Sequence, residues 1–314
     1  MTKHDYIWIH RCPLCGVGEE QFRLITAGGE RFELERSVMC MNCSLAFLNP
    51  RLSPQGLRDY YLSDQFSSDF RPGTKPDSAA TEYRDERARR RWKFLKKVIP
   101  ASARCLEIGC SSGNFLRILK QHGHPVTGID PSTGYAQFAQ ESGLTVYVGE
   151  FPDDLPVEAG SFDVIASFHV IEHVHDPRLL LRAIRSRLRV GGMVVLEYPD
   201  LARAAKRKRL TSEYFQKSHL HDYSLHTMNR LLQSCGLTIE QSFVESEPPL
   251  DKNRLLIARA VASGELTPTT PADYRNPAAE RAYNMVLRKI SPRGYHMWRR
   301  FLPMPSSWFR REAG

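Results

Sequence analysis

Apolar and polar positions change their spacing along this 314-residue chain. From residue 104 onward, short apolar runs suited to buried strands alternate with stretches whose apolar positions recur every three to four residues. The runs predict strands near 104–108, 126–130, 145–148, 162–167, 192–198, 237–244 and 254–261. The helical stretches fall near 113–122, 132–141, 176–189 and 224–235. Ser224 can cap the start of the last helix and Gly236 can end it. Strands alternating with helices imply an α/β domain, a parallel sheet with helices on both faces. The last two strands follow each other without a helix, so one of them is expected to run antiparallel.

Upstream the pattern differs. "TEYRDERARRRWKFLKKVI" puts Trp92, Leu95 and Ile99 at helical spacing on a strongly basic helix, whose arginines read as a solvated face or an anion-binding surface. "SSDFRPGTKPDSAA" before it reads as a loop or lid. The chain therefore divides into a cysteine-bearing module (1–50), a linker and basic helical region (51–102), an α/β domain (103–263) and a basic-aromatic tail (264–314). The tail, ending "YHMWRRFLPMPSSWFRREAG", reads as a packed helix or an interfacial membrane anchor.

Composition narrows the setting. Hydrophobic residues make up 41% of the chain, ordinary for a packed core, and no apolar run approaches the ~18 residues that span a bilayer. The amino terminus lacks the apolar core of a signal peptide, so a cytoplasmic location with reduced thiols is expected. That expectation turns Cys12-x2-Cys15 and Cys40-x2-Cys43 into a structural four-cysteine Zn2+ site with no open coordination position. The net charge of +9 favours anionic partners.

The chemistry rests on "LEIGCSSGNFL", residues 106–116. Gly109, Ser111 and Gly113 spell a hydrolase nucleophile elbow, but such an elbow follows several strands of its sheet and this one follows the first. A strand-to-helix turn that offers backbone N–H groups to a polar ligand fits better. Asp130 ends the next strand, where a carboxylate can accept ribose hydroxyls. Glu107 just before the turn would repel a pyrophosphate and suit a cationic amino-acid group. S-adenosylmethionine has ribose hydroxyls, an ammonium, a sulfonium and no phosphate, and it matches this set.

"LEIGCSSGNFL", "GIDPS", "VGEFPDDLP", "FDVIASFHVIEHVHDP" and "LRVGGMVVLEYPD" occur in an order that resembles class I S-adenosylmethionine-dependent methyltransferases. They look most like the branch of ubiquinone-pathway O-methyltransferases and of glycan and natural-product enzymes. The preceding "CPLCG…CMNCSLAFLNPR" resembles the zinc-ribbon-like module found before many such domains. The resemblance implies a Rossmann-like seven-stranded sheet of order 3-2-1-4-5-7-6 with strand 7 antiparallel. It also implies that Glu107, Gly109 and Gly113 hold the methionine part, that Asp130 takes the ribose, and that Glu150 and Phe151 flank the adenine.

The acceptor side should lie past the fourth strand, at Ser167 to His173, because open α/β sheets bind ligands at the carboxyl ends of their strands. His169 is the first candidate for a general base, with His219 and His221 of "QKSHLHDYS" as alternatives on an insertion over the pocket. His173 reads as structural, with Glu172 orienting or capping nearby. H-V-I-E-H also matches a zinc-protease motif, which requires a long helix. In the ubiquinone-pathway enzymes the corresponding stretch reads E-x-x-E-H and is associated with a divalent metal. His169 replaces its first acid, which argues against a catalytic metal here. Tyr60, Tyr61 and Tyr83 could close the pocket, and "ARAAKRKRL" (202–210) could draw a phosphate-bearing acceptor to its mouth. The expectation is methyl transfer to a small-molecule, sugar or glycan hydroxyl. An RNA methyltransferase is the alternative enzyme, disfavoured because no N-P-P-Y motif follows strand 4. A non-catalytic S-adenosylmethionine-binding scaffold is the alternative outside enzymes.

Overall fold

A computed structural model describes residues 5–27, 36–62, 78–206, 210, 214–244, 252–261 and 277–290. The amino-terminal part holds β1 (Tyr6–Ile7), β2 (Phe22–Ala27), β3 (Arg36–Cys40), β4 (Ala46–Leu48) and β5 (Arg51–Leu52), followed by α1 (Pro54–Leu62) and α2 (Ser78–Leu95). The α/β part begins with β6 (Cys105–Ile108), α3 (Asn114–Gln121), β7 (Val126–Asp130), α4 (Thr133–Glu141) and β8 (Val146–Val148). It continues through β9 (Phe162–Phe168), α5 (Pro177–Arg187), β10 (Leu188–Pro199) and α6 (Leu201–Lys206). The last elements are β11 (His221–Asp222), α7 (Leu225–Ser234), β12 (Leu237–Val244), β13 (Asn253–Ala260) and α8 (Pro277–Ile290).

The large sheet has seven strands in the order β12-β13-β10-β9-β6-β7-β8, and β13 runs antiparallel to both of its neighbours. This is the expected 3-2-1-4-5-7-6 arrangement. Its central strands carry apolar runs, as at Val164 to Phe168 and Met193 to Leu196, because both faces are covered there. Ile165, Val194, Leu196 and Leu256 pack on one face with Leu180, Ile184 and Leu231 of α5 and α7. Their sequence neighbours Val164, Ala166, Val195 and Ile257 pack on the other with Leu95 and Phe115 of α2 and α3. The period of two along each strand thus separates two cores.

Helix starts are set locally. Asp176 caps α5 by accepting the backbone N–H groups of Arg178 and Leu179 at 2.9 and 3.0 Å, with Pro177 next to it. Ser224 caps α7 as the sequence pattern suggested, and Thr227 completes a reciprocal capping box with it. The strand expected at 192–198 starts earlier, at Leu188, and its register against β9 shifts between Leu188 and Met193.

The cysteine module joins the larger domain rather than hanging from it. β2, β3 and β4 form an antiparallel sheet whose fourth strand is β11, drawn from the insertion after β10. His221 pairs with Phe47 and Asp222 with Ala46. The side chain of Arg178 on α5 donates to the carbonyls of Pro13 and Leu14 in the first cysteine turn. Helix α8 packs Val286 against Ile25, Met39 and Leu201, and the Tyr283 hydroxyl donates to the Leu24 carbonyl at 2.9 Å. Residues 63–77, 207–209, 262–276 and 291–314 lie outside the described residues, and with them most of the stretch expected as a loop or lid, three residues of the basic run 202–210, and most of the tail expected as a packed helix or an interfacial anchor. Among the described residues, no helix is long and apolar enough to cross a membrane.

All four module cysteines converge. Their sulfurs lie within 4.8 Å of one another, with Cys12 to Cys43 at 3.5 Å and Cys15 to Cys40 at 3.6 Å. A tetrahedral ion with bonds of about 2.3 Å to sulfur needs sulfurs about 3.8 Å apart, so the cluster fits Zn2+. Hydrogen bonds from Cys12 push the Cys15 and Cys40 thiols down, while their own neighbours push Cys12 and Cys43 up. Four thiolates packed this closely require a cation to ionise together. Elemental analysis of freshly purified protein should find zinc, and Cys40→Ser with Cys43→Ser should lower the content by one ion per chain. An unchanged content in the double variant contradicts this site.

Candidate active site at the carboxyl edge of the sheet

The turn after β6 is built on left-handed backbone. Gly109 has φ of +72°, Ser111 +50° and Gly113 +70°. A Cβ on Gly109 would come within 2.5 Å of Val170 Cγ2, and one on Gly113 would collide with Leu144. The loop therefore packs directly against the segment that leaves β9. Asp130, at the end of β7, accepts the backbone N–H groups of Ser111 at 2.8 Å and Ser132 at 2.9 Å, one on each oxygen. These two bonds fix the orientation of the Asp130 carboxylate at the end of β7.

Glu107 is buried at 4% exposure, and its Oε2 has no hydrogen-bond partner among the described residues. Burial pushes its pKa up to about 8; Arg91 pulls it down and Asp130 pushes it up further. A buried carboxyl with one unpartnered oxygen beside a glycine turn fits a cationic ligand group. Gly149 donates to the Asp130 carbonyl at 3.1 Å, which brings Glu150 and Phe151 beside Asp130. Glu150 is exposed, its backbone N–H donates to Asp154, and Phe151 is half-buried. The six residues expected around the donor therefore lie at or just past the carboxyl ends of three adjacent strands, β6, β7 and β8.

The expected acceptor side is more structured than a lone base. His169 has φ of +55° and donates its backbone N–H to the Glu197 carbonyl at 2.8 Å. Its Nδ1 lies 3.1 Å from Glu172 Oε1 and its Nε2 2.8 Å from Glu197 Oε1. Glu197, at the carboxyl end of β10, also accepts Arg87 at 2.8 Å and Arg91 at 2.7 Å. Two arginines of the basic helix are thus internal ion-pair partners, neither solvated nor facing an external anion. Arg89 and Arg90 of the same helix pair with Glu86 at the surface, as a solvated face would.

His221 is fully buried in β11, and its Nε2 accepts from Arg51 at 3.0 Å. Burial and the Arg51 charge hold its pKa far below the usual range. His219 is half-buried on the same segment, and its pKa is pushed down to about 3 by burial and by His173. His173 donates Nδ1–H to the Ser218 carbonyl at 2.7 Å, and its ring meets that of His219 edge-on at 4.8 Å. Glu172, His173 and His219 each offer a ligand atom within 4.8 Å of the others. Glu172 is held down to about 2: burial raises it, but the His169 hydrogen bond and nearby histidines outweigh burial. Residues 170–176 form a turn, not the long helix that a zinc-protease motif needs. Tyr60 and Tyr61 adjoin this side, Tyr61 edge-on to His173, while Tyr83 is half-exposed on α2. Glu197 went unnoticed in the sequence; an acid closing an apolar strand in "GGMVVLEYPD" was its one signal.

Comparison with known proteins gives the family of the chain. Residues 80–242 match the family described as "Methyltransferase domain". The chain belongs to this family of S-adenosylmethionine-dependent methyltransferases. It is 38% identical over 106 residues to a ubiquinone biosynthesis O-methyltransferase of Xanthomonas axonopodis pv. citri, covering 32% of this chain and 44% of that protein. A protein of the same description from Marinobacter nauticus is 32% identical over 135 residues, covering 40% of this chain and 52% of that one. The chain thus spans about half the length of these curated relatives. The crystal structure of PH0226 protein from Pyrococcus horikoshii OT3 superposes with a TM-score of 0.51 at 17% identity, covering 63% of this chain and all of that one, and shares the fold.

The raised pKa of Glu107 carries a sign. Its folded value near 8 lies above the ordinary 4.5, so the free protein holds a proton at pH 7 that the unfolded chain has lost, and stability falls as pH rises between the two values. A cationic ligand favours the ionised form. Binding of S-adenosylmethionine at pH 7 should therefore release close to one proton and tighten as pH approaches 8. Calorimetry in two buffers of different ionisation enthalpy checks this, and equal proton release by Glu107→Gln contradicts it.

Proposed function

We propose that the protein transfers a methyl group from S-adenosylmethionine to a hydroxyl oxygen of a small-molecule acceptor held against Glu172, His173 and His219. The contact between Gly109 and Val170 carries the reading, because it joins the donor turn to the segment bearing Glu172 and His173. The name O-methyltransferase printed for the relatives supports oxygen as the atom methylated.

The donor supplies an electrophilic methyl on a sulfonium when bound; this chain supplies the rest. Glu107, Gly109 and Gly113 would receive the amino-acid end, Asp130 the ribose hydroxyls, and Glu150 with Phe151 the base. An attacking hydroxyl must lose its proton as the oxygen–carbon bond forms. His169 does not serve as that base in our reading, because carboxylates occupy both of its ring nitrogens. It acts as a positioning residue that aims Glu172. His221 is a pairing residue of the module sheet. Deprotonation falls to the Glu172, His173 and His219 cluster, which excludes bulk water by its burial. We assign the acceptor to phenols, sugars or glycans. A phosphate on it would suit the basic run at 206–209, most of which lies outside the described residues.

A labelled-methyl screen over phenols, nucleotide sugars and RNA should mark a hydroxyl of one of the first two. On that acceptor His219→Ala should lower kcat by roughly 10²–10⁴-fold while S-adenosylhomocysteine binds as in the native protein. Label found in RNA, or full activity of His219→Ala, contradicts the reading.

A further inference from the structure

On the face of the sheet covered by α2, a cleft enclosing about 260 Å³ up to its open mouth lies between that helix and the last two strands. Phe94 of α2, Phe243 of β12 and Leu255 of β13 form its apolar walls, with the two phenyl rings 5.2 Å apart. Arg91, Glu197 and Asn253 supply its polar lining. Arg91 meets Glu197 in two bonds, at 2.7 and 3.2 Å, so the charges in the lining oppose each other at contact distance. The Asn253 side-chain nitrogen lies 3.4 Å from Glu197 Oε1 and 3.3 Å from His169 Nε2. Turning this amide over would set its oxygen against a carboxylate, so Glu197 fixes its orientation. Asn253 is 4% exposed, and among the described residues lining the cleft its Oδ1 alone is a buried polar side-chain atom without a hydrogen-bond partner. A buried acceptor left unmatched is costly, and a ligand N–H or O–H placed there removes that cost.

We propose that this cleft seats the non-reacting part of the acceptor, an uncharged, ring-sized apolar group with one hydrogen-bond donor, and that Asn253 selects for that donor. This role rests on the methyl transfer proposed above, whereas binding itself is measurable without turnover. Pockets that hold a whole small molecule enclose roughly 300–1,000 Å³, so this cleft suits one portion of a larger ligand. The residues expected around the methyl donor lie at β6, β7 and β8, while the cleft lies across β9 at β10, β13 and β12. That separation makes the acceptor its occupant. His169 stands between the cleft and the Glu172 cluster, with Nδ1 on Glu172, Nε2 on Glu197 and a side chain 23% exposed. An acceptor that passes this imidazole has its reacting hydroxyl at Glu172 and its ring between Phe94 and Phe243. The lining also disfavours other groups. Arg87 and Arg91 are both paired to Glu197, whose buried carboxylate would repel a phosphate. One unmatched acceptor serves the several hydroxyls of a sugar poorly, and the apolar walls gain from burying carbon.

The test is a fluorine NMR titration of the full chain with S-adenosylhomocysteine present. Its probes are 4-fluorobenzyl alcohol, which has a donor, and the methyl ether of that alcohol, which has none. The alcohol should bind at a single site, at least roughly fivefold more tightly than the ether. Phe243→Ala should weaken both probes to a similar degree, because the walls contact carbon. Asn253→Leu should make the two probes bind alike, with S-adenosylhomocysteine affinity retained as the measure of folding. If Asn253→Leu does not fold, the native comparison and Phe243→Ala still decide. Glucose and inorganic phosphate should not displace the alcohol. No binding of the alcohol, equal binding of both probes to the native protein, native affinity in Phe243→Ala, a preference that survives Asn253→Leu, or displacement by glucose or phosphate would each overturn the proposal. Methyl transfer to a hydroxyl without these binding results would overturn the cleft's role and leave the function standing. The binding results without transfer to any hydroxyl would overturn the function and leave the cleft as a site for a neutral ring.

Discussion

One buried carboxylate holds the functional edge together. Glu197 is 7% exposed, and burying such a charge unpaired costs several kcal/mol. Burial pushes its pKa up, but Arg91, His169 and Arg87 reverse this and hold it well below the usual range. Asn253 of β13 adds a long contact at 3.4 Å. These partners come from α2, from the exit of β9 and from β13, so neutralising one charge fixes three elements against the end of β10. Arg91 also lies 4.0 Å above the Phe168 ring, and Asp85 of α2 bonds Asn114 at the start of α3 at 2.6 Å. Helix α2 is thereby held across the edge, from the acceptor side to the donor turn.

A second constraint ties the cysteine module to the same edge. The insertion after β10 reaches the module sheet as β11, and Arg51 of β5 bonds both His221 and the His175 carbonyl. Residues 214–222 thus have one side in the module and the other against Glu172 and His173. The four-thiol cluster and the Glu172–His173 segment are thereby linked through one sheet: β4 follows the second cysteine pair and pairs with β11, the strand that follows His219.

How much was legible in the sequence follows from how local each signal is. The seven-stranded sheet was readable because apolar runs and helical periods are written in consecutive residues, as at Val164 to Phe168. The donor turn and the cysteine pairs were readable because their chemistry is packed into short spacings. The acceptor side was read only in part. His169 looked like a free base because its partner Glu197 lies 28 residues away, and no local pattern reports that contact. Arg87 and Arg91 looked like solvent-facing charges for the same reason. His219 was noticed as a histidine on an insertion, but its meeting with Glu172 and His173 depends on β11 joining a sheet from the other end of the chain. Long-range pairings of charged residues leave no periodicity to find.

The account rests on the donor turn and the Glu172, His173 and His219 cluster facing one shared space. A crystal structure of the full chain with S-adenosylhomocysteine tests this most directly. The ribose hydroxyls should lie on Asp130, the amino group beside Glu107, and the sulfur should open toward Glu172 and His219. A ribose bound away from Asp130, or a sulfur turned from the cluster toward another surface, would contradict it.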